Sequence, residues 1–110
     1  MNKKKYCFDI DGTICTTNCD YKDAIPFDDV INRINKLFKT GNKITLFTSR
    51  GTKSGKDWYD YTKKQVDEWG VKYHELIMGK PQADIFIDDR AINIVDWREN
   101  TKSDSNYLKD

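Results

Sequence analysis

A short apolar segment ending in two carboxylates constrains this chain more than any other feature. The residues from Tyr6 to Ile10 are mostly apolar, and Asp9 and Asp11 stand at their carboxyl end. Because side chains alternate along an extended strand, residues two apart project to the same side. Gly12 follows directly and lets the backbone turn sharply. Since unpaired carboxylates are costly to desolvate, the pattern predicts a strand buried on both sides that presents its acids to a cation, rather than an ordinary Asp-Gly turn.

The rest of the chain alternates between helical and extended patterns. Apolar residues recur at spacings of three and four in two segments, and each of these segments ends before a glycine, Gly41 or Gly70. Short apolar runs between and after them predict further strands. The predicted helices are 26–39 and 57–69, with a short amphipathic element at 91–97. The predicted strands after the first are 44–48, 75–78 and 83–87.

The second predicted strand ends in polar residues, Thr48, Ser49 and Arg50. A hydroxyl at Thr48 can donate to a phosphoryl oxygen without adding charge. Alternatively, Thr48 or Ser49 caps the element that follows. A guanidinium at Arg50 suits two-point binding of a phosphate or a sugar acid, and an ion pair at the surface is the alternative.

Charged residues also flank the fourth predicted strand. Lys80 stands between a glycine and a proline, a position where packing gives little reason for a lysine. Asp88 and Asp89 follow the strand directly. Two adjacent acids after a buried run repel each other unless a cation or hydrogen-bond donors hold them, although either could instead cap the next turn.

These separate polar groups are expected to meet. Strands joined by helices form a parallel sheet, and the carboxyl ends of parallel strands lie at one edge, where α/β proteins bind ligands. The sequence therefore predicts an α/β fold, a three-layer Rossmann-like parallel sheet flanked by helices. Its candidate site combines acids, a hydroxyl and a lysine.

Length and composition limit the remaining classes. The chain has 110 residues and a net charge of +1, so we expect one domain, residues 1–98, followed by a polar tail, residues 99–110. The near-neutral charge disfavours a nucleic-acid partner. No apolar run approaches the ~20 residues that span a bilayer, so no membrane partner is expected.

The cysteines and the amino terminus bear on location. The basic start is followed by an apolar segment that the acids interrupt, which is unlike a signal peptide. We therefore expect a cytoplasmic protein with reduced thiols at Cys7, Cys15 and Cys19. A structural zinc site is the alternative, but it needs four ligands, and a single histidine, His74, is available to complete the set.

The D-x-D-G-T pattern at 9–13 resembles the first motif of the haloacid dehalogenase (HAD) superfamily, most members of which are magnesium-dependent phosphohydrolases. Thr48, Lys80 and the pair Asp88-Asp89 match its second, third and fourth motifs in the same order. The resemblance extends from Tyr6 to Trp97. The run from Gly79-Lys80-Pro81 to Asp88-Asp89-Arg90-Ala91 is most similar to small HAD proteins without a cap domain, some of which are polysaccharide- or capsule-biosynthesis phosphatases.

The resemblance implies a phosphatase that acts through an aspartyl-phosphate. Asp9 would be the nucleophile and Asp11 the general acid and base. Thr48 and Lys80 would stabilise the charge on the transferred phosphoryl group. The turn at Gly12 and Thr13, with Ser49 and Arg50, would contact substrate. Mg²⁺ would be bound by the carboxylates of Asp9 and Asp88 and the backbone carbonyl of Asp11, with Asp89 ligating it directly or through water.

The short intervals between the motifs leave no room for a cap domain, so an open site is expected. The substrate would be a phosphorylated small molecule, such as a sugar phosphate, or the end of a polymer. The site would be enclosed by a neighbouring subunit in a homo-oligomer, or it would stay open in a monomer. Two other functions remain in view, a catalytically silent phosphate- or Mg²⁺-binding module and a phosphoacceptor signalling domain.

Overall fold

Three parallel strands form the sheet of this protein. The computed structural model describes residues 3–100, and the strands within it are β1 (Lys5–Phe8), β2 (Lys43–Thr48) and β3 (Glu75–Met78). They lie in the order β1-β2-β3, with Phe8 opposite Leu46 and Thr48 opposite Met78. All three carboxyl ends therefore lie at the same edge of the sheet, as the sequence predicts.

Helices pack against this sheet and supply most of the core. They are α1 (Asp28–Lys39), α2 (Tyr59–Glu68) and α3 (Ile94–Glu99), preceded by a short 3-10 turn at Tyr21–Asp23. The buried side chains of the helices and strands form one hydrophobic cluster. The predicted fold class, an α/β Rossmann-like parallel sheet flanked by helices, is confirmed. The cluster includes Phe8, Ile10, Val30, Ile31, Ile34, Leu37, Ile44, Leu46, Val66 and Trp97.

The ends of the two long helices follow from the glycines that the sequence places there. Gly41 and Gly70 adopt φ angles of +94° and +78°, a left-handed conformation that costs other residues more. The amides that follow them bond back into the last turn, Asn42 N–H to Leu37 O and Val71 N–H to Val66 O. The predicted helices are thus confirmed to within two residues at each end.

The first strand differs from its prediction in burial. Phe8 is buried and Tyr6 half-buried, but Lys5 and Cys7, which alternate with them, are exposed. The prediction of a strand buried on both sides is therefore wrong. Within residues 3–100, the cluster of buried side chains includes Phe8 but not Cys7, which projects from the opposite face of β1.

The predicted fourth strand is not formed. Residues 83–87 have no strand structure, and Ile85 and Ile87 are 77% and 96% exposed. The apolar run predicts a strand, but it pairs with no neighbour in the sheet. The acids that follow the run therefore do not lie at the end of a strand.

The segment 14–24 is irregular, as predicted, and anchored at its start. Ile14 and Cys15 are buried, and the N–H of Phe27 donates to Ile14 O at 2.7 Å. The short amphipathic element predicted at 91–97 is α3, which begins at Ile94. The predicted tail from residue 101 onward lies outside the described residues. No helix within 3–100 is long and apolar enough to cross a membrane.

Candidate active site

An open cleft lies at the carboxyl edge of the sheet. It has a volume of about 490 Å³ and is lined by Asp9 after β1, Ser49 after β2 and Lys80 after β3. The chain from Pro81 to Phe86 forms the remaining wall. Each of the three strands thus contributes a polar side chain to one space, the convergence that a parallel sheet predicts.

Asp9 and Lys80 form an ion pair in this cleft. Lys80 Nζ lies 3.1 Å from Asp9 Oδ2, and the two side chains are 20% and 34% exposed, respectively. The second oxygen, Asp9 Oδ1, accepts the N–H of Ile10 at 2.8 Å. A carboxylate held in this way is oriented, paired with a cation and still reachable from solvent. These are the properties that a nucleophile requires.

The backbone fixes the position of Lys80. Its N–H donates to Thr48 O at 3.0 Å, which extends the pairing of β2 and β3 beyond Met78. The hydroxyl of Thr52 donates to Lys80 O at 3.0 Å. The ammonium also lies 4.6 Å from the centre of the Phe86 ring. Lys80 is therefore anchored to the loop that follows β2.

Thr48 and Ser49 differ in exposure. Thr48 is 1% exposed, and its hydroxyl oxygen accepts the N–H of Arg50 at 3.1 Å. This is the capping role considered as an alternative, although a hydroxyl that accepts a hydrogen bond can still donate one. Ser49 lines the cleft itself. A ligand in the cleft would therefore meet Ser49 directly.

Asp11 lies in a second ion pair, with Arg50. Arg50 Nη2 and Nε donate to the two oxygens of Asp11 at 2.8 and 2.9 Å. The guanidinium also donates to Gln65 Oε1 at 2.7 Å and stacks 4.3 Å from the centre of the Tyr21 ring. Two-point pairing of this kind fixes the orientation of a carboxylate as well as its charge.

Arg50 does not face a ligand. Its side chain in the ion pair is 0% exposed, and its donors are engaged by Asp11, Gln65 and, at 3.4 Å, Thr62 Oγ1. Burial alone would lower its pKa, but the hydrogen bond and charge of Asp11 outweigh that effect and raise it. The prediction that Arg50 contacts substrate is therefore corrected. The alternative, an ion pair, is found, although it is buried rather than at the surface.

A buried thiol lies beside this pair. Cys15 Sγ lies 3.6 Å from Asp11 Oδ1 and 3.7 Å from Ile10 O. Burial, and then the charge of Asp11, raise the pKa of Cys15 to about 12. The thiol is therefore neutral and acts as a small packing group and weak donor.

The backbone amides of the turn after Asp9 form hydrogen bonds within the same segment. The N–H of Gly12 donates to Cys15 O at 2.8 Å, and the N–H of Thr13 donates to Ile10 O at 3.1 Å. Gly12 has a φ of +83°, so the tight turn predicted there is formed. Because these two amides bond within the turn, the structure does not support the predicted substrate contacts of Gly12 and Thr13.

The predicted metal ligands are not assembled. Asp88 and Asp89 are both exposed. Asp88 Oδ1 accepts the N–H of Arg90 at 2.9 Å, and this hydrogen bond lowers the pKa of Asp88. Asp89 Oδ2 lies 3.7 Å from Arg90 Nε. The ion pair with Arg50 engages the side chain of Asp11, whereas the ligand expected from the resemblance is its backbone carbonyl. Among residues 3–100, no group of three or more His, Cys, Asp or Glu side chains is placed to hold a metal ion. The arrangement therefore does not bring the Asp88 and Asp89 carboxylates together with Asp9, as the Mg²⁺ site expected from the sequence requires.

Several residues at the site were not predicted from the sequence. Asp84 and Phe86 line the cleft, because the segment after Lys80 folds beside it instead of joining the sheet. Gln65 and Tyr21 surround Arg50. A cation directly after a buried strand signals that a carboxylate must lie near, but the sequence does not say which one.

Comparison with known proteins supports the fold and gives no family. No family model and no curated protein matches this chain. An MCSG target protein from Vibrio cholerae, known from its crystal structure, is similar with a TM-score of 0.83 and 26% sequence identity. The similarity covers 96% of this chain and 95% of that one. The α/β fold described above is therefore shared over almost the whole length of both proteins.

Proposed function

We propose that this protein is a phosphohydrolase that transfers the phosphoryl group of a phosphate monoester to Asp9 and then to water. The observation that supports this most directly is the Asp9–Lys80 pair in an open cleft, with 3.1 Å between Nζ and Oδ2. The paired charges supply a nucleophile and a cation for the phosphate in one place. The order of the motifs in the sequence supports the same chemistry.

In the first step an oxygen of Asp9 forms a bond to phosphorus and the bond from phosphorus to the substrate's alcohol oxygen breaks. Lys80 would offset the negative charge of the phosphoryl oxygens, and the hydroxyl of Ser49, which lines the cleft, would donate to one of them. The departing oxygen takes a proton, for which Asp11 is the proposed donor. The products are an aspartyl-phosphate and a free alcohol.

In the second step water attacks phosphorus and the bond between Asp9 and phosphorus breaks. Asp11 takes the proton released by the water, which restores its starting state and balances the cycle. Arg50 holds the Asp11 carboxylate in one orientation through two hydrogen bonds. Arg50 is thus a positioning residue in this proposal, because it acts through Asp11.

The remaining features of the proposal come from the sequence. Magnesium is the expected cofactor, a phosphorylated small molecule or polymer end the expected substrate, and the cytoplasm the expected location. Since the carboxylates do not form a Mg²⁺ site in this arrangement, none of the steps above depends on the metal. Chelation by EDTA followed by Mg²⁺ addition tests the cofactor separately from the nucleophile.

An assay with p-nitrophenyl phosphate, with and without Mg²⁺, tests the proposed reaction. We expect Asp9→Asn to abolish turnover and Asp11→Asn to lower it by roughly 10²–10⁴-fold, the usual contribution of general acid–base catalysis. Asp67→Asn is the matched control, because Asp67 also pairs with a lysine, Lys63 at 2.8 Å, on the surface of α2. Full activity in Asp9→Asn would rule out Asp9 as the nucleophile.

One observation favours a second function, that of a phosphoacceptor domain. Both oxygens of Asp11 accept hydrogen bonds from a buried guanidinium, so both are already engaged and neither is free to act on a leaving group. Such a protein would accept a phosphoryl group on Asp9 and release it slowly. The lifetime of the phosphorylated protein distinguishes the two functions, since a phosphatase turns over many times and a phosphoacceptor accumulates one phosphoryl group per chain.

A further inference from the structure

A groove lined by aromatic rings lies beside the candidate site and is not used by the chemistry proposed above. Its walls are Tyr21, Trp58 and Tyr61, with Cys19, Asp20 and Lys22 at the rim, and its volume is about 430 Å³. Trp58 meets both tyrosine rings edge to face, with centroids 4.9 and 5.5 Å apart and interplanar angles of 85° in each case. The groove therefore has ring faces at right angles to one another.

This groove is connected to the cleft by the loop after β2. Ser49 lines the cleft, and Gly51, two residues later, packs so closely on the next turn that a Cβ there would lie 3.0 Å from Trp58 Cδ1 and 2.3 Å from Lys56 O. Thr52 in turn bonds Lys80 O at 3.0 Å. Two residues span about 7 Å at most, so this loop brings Trp58, which lines the groove, close to Ser49, which lines the cleft.

A second connection runs underneath the groove. The ring of Tyr21 stacks on the guanidinium of Arg50, and Tyr21 O accepts the amide of Gln65 at 2.7 Å. Gln65 also accepts from Arg50, which holds Asp11. The same buried cation thus supports the wall of the groove and the proposed general acid and base.

The charges at the groove differ from those at the cleft. The rim has one anion and one cation, Asp20 and Lys22, both exposed, so it carries no net charge. The cleft instead combines the ammonium of Lys80 with the carboxylates of Asp9 and Asp84. In the proposed reaction the phosphate pairs with Lys80 in the cleft, so the groove suits a neutral group with an apolar face and hydroxyls at its edge.

We propose that the groove binds the sugar ring of a phosphorylated saccharide whose phosphate lies in the cleft beside Asp9 and Lys80. This inference rests on the proposed phosphohydrolase function and names its substrate class. The C–H face of a pyranose stacks on one aromatic ring, and its edge meets the perpendicular ring. Asp20 accepts hydrogen bonds from the sugar hydroxyls and Lys22 donates to them.

Two tyrosines on one helix provide the test and its control. Tyr61 lines the groove and Tyr59 does not, although both lie on α2 and are 39% and 38% exposed. We expect Tyr61→Ala to lower kcat/KM at least tenfold more for hexopyranose 1-phosphates than for glycerol 3-phosphate, which has no ring. Tyr59→Ala is expected to keep the wild-type kcat/KM for both substrates. An equal effect of Tyr61→Ala on both substrates would overturn the proposal.

A binding measurement separates this inference from the function on which it rests. Asp9→Asn protein labelled with ¹⁵N is titrated with hexopyranose 1-phosphates, with adenosine 5′-monophosphate as the comparison. The indole N–H signal of Trp58, assigned by its loss in Trp58→Phe, is expected to shift with the sugar phosphates, while that of Trp69 stays in place. A shift without any phosphatase activity of the wild type would refute the function and keep the site. Turnover of sugar phosphates without a shift, or a shift with the nucleotide alone, would refute the site.

Discussion

At the scale of single residues, the site depends most on a side chain that no ligand can reach. Arg50 is 2% exposed, binds both oxygens of Asp11 and contacts Gln65 and Tyr21. A buried cation is tolerated only when its donors and its charge are satisfied together. Asp11 is therefore held in place by the same contacts that make Arg50 acceptable in the interior.

Replacing Arg50 is expected to affect stability and turnover together. Arg50→Gln leaves Asp11 without its partner and should lower the free energy of unfolding by about 3–5 kcal/mol, measured by urea denaturation. In the double variant Arg50→Gln/Asp11→Asn, the loss of stability should be smaller than the sum of the losses in the two single variants. Removing both charges leaves neither of them without its partner. Additive losses would show that the pair is not coupled. Arg50→Lys is the conservative comparison, since it keeps the charge without the two-point geometry.

Cys15 provides a residue-scale prediction that depends on pH. Since its pKa is raised to about 12, the folded state favours the neutral thiol. This contribution to stability is complete below the ordinary thiol pKa of about 8.5 and is lost as the pH rises through 12. At pH 8 iodoacetamide should therefore alkylate exposed Cys19 and leave Cys15 unmodified, as read by peptide mass spectrometry. Equal rates at the two cysteines in the folded protein would contradict the burial of Cys15.

At the scale of elements, the patterns that predict the fold are those with local causes. The stripe of α1, the glycines after α1 and α2, and the alternating run of β2 determine their structures within a few residues. The run at 83–87 is also largely apolar but forms no strand, because a strand requires backbone pairing with a neighbour and this run pairs with neither edge strand, β1 nor β3. Composition alone does not specify that pairing.

Residues 83–87 supply an element-scale prediction. Ile87 is 96% exposed, so Ile87→Ser should change the free energy of unfolding by no more than about 0.5 kcal/mol. Leu46→Ala in β2, where the side chain is 0% exposed, is the control and should cost about 2–5 kcal/mol. Both are read from urea denaturation. A loss at Ile87 as large as that at Leu46 would show that the segment is buried as a fourth strand.

Part of the candidate site was predictable from the sequence, because it depends on a general property of parallel sheets. Asp9, Ser49 and Lys80 meet because each follows a parallel strand, a rule that needs no knowledge of side chains. The pairing of Asp11 with Arg50 joins two loops 39 positions apart, and the sequence leaves the partner of each open. The expected ligands Asp88 and Asp89 depended on the fourth strand, and without that strand they are exposed.

At the scale of the whole molecule, the cleft is open and shallow. Asp9 keeps a third of its side-chain surface exposed, and water in such a site weakens the charge interactions that catalysis uses. A second copy of the chain could provide the missing enclosure. We therefore expect a homo-oligomer at working concentration, measured by light scattering. A monomer that turns over a free sugar phosphate efficiently would contradict this and show that the cleft is sufficient alone.

The central claim, that Asp9 receives a phosphoryl group, is tested most directly by trapping that group. Asp11→Asn protein is incubated with p-nitrophenyl phosphate, whose leaving group needs no proton donor, and is quenched in acid before peptide mass spectrometry. We predict that the peptide containing residue 9 gains one phosphoryl group on Asp9 and that Asp9→Asn/Asp11→Asn protein gains none. A phosphoryl group on Ser49 or His74 would contradict the account. Turnover by the wild type with no phosphorylated peptide in the Asp11→Asn protein would contradict it as well.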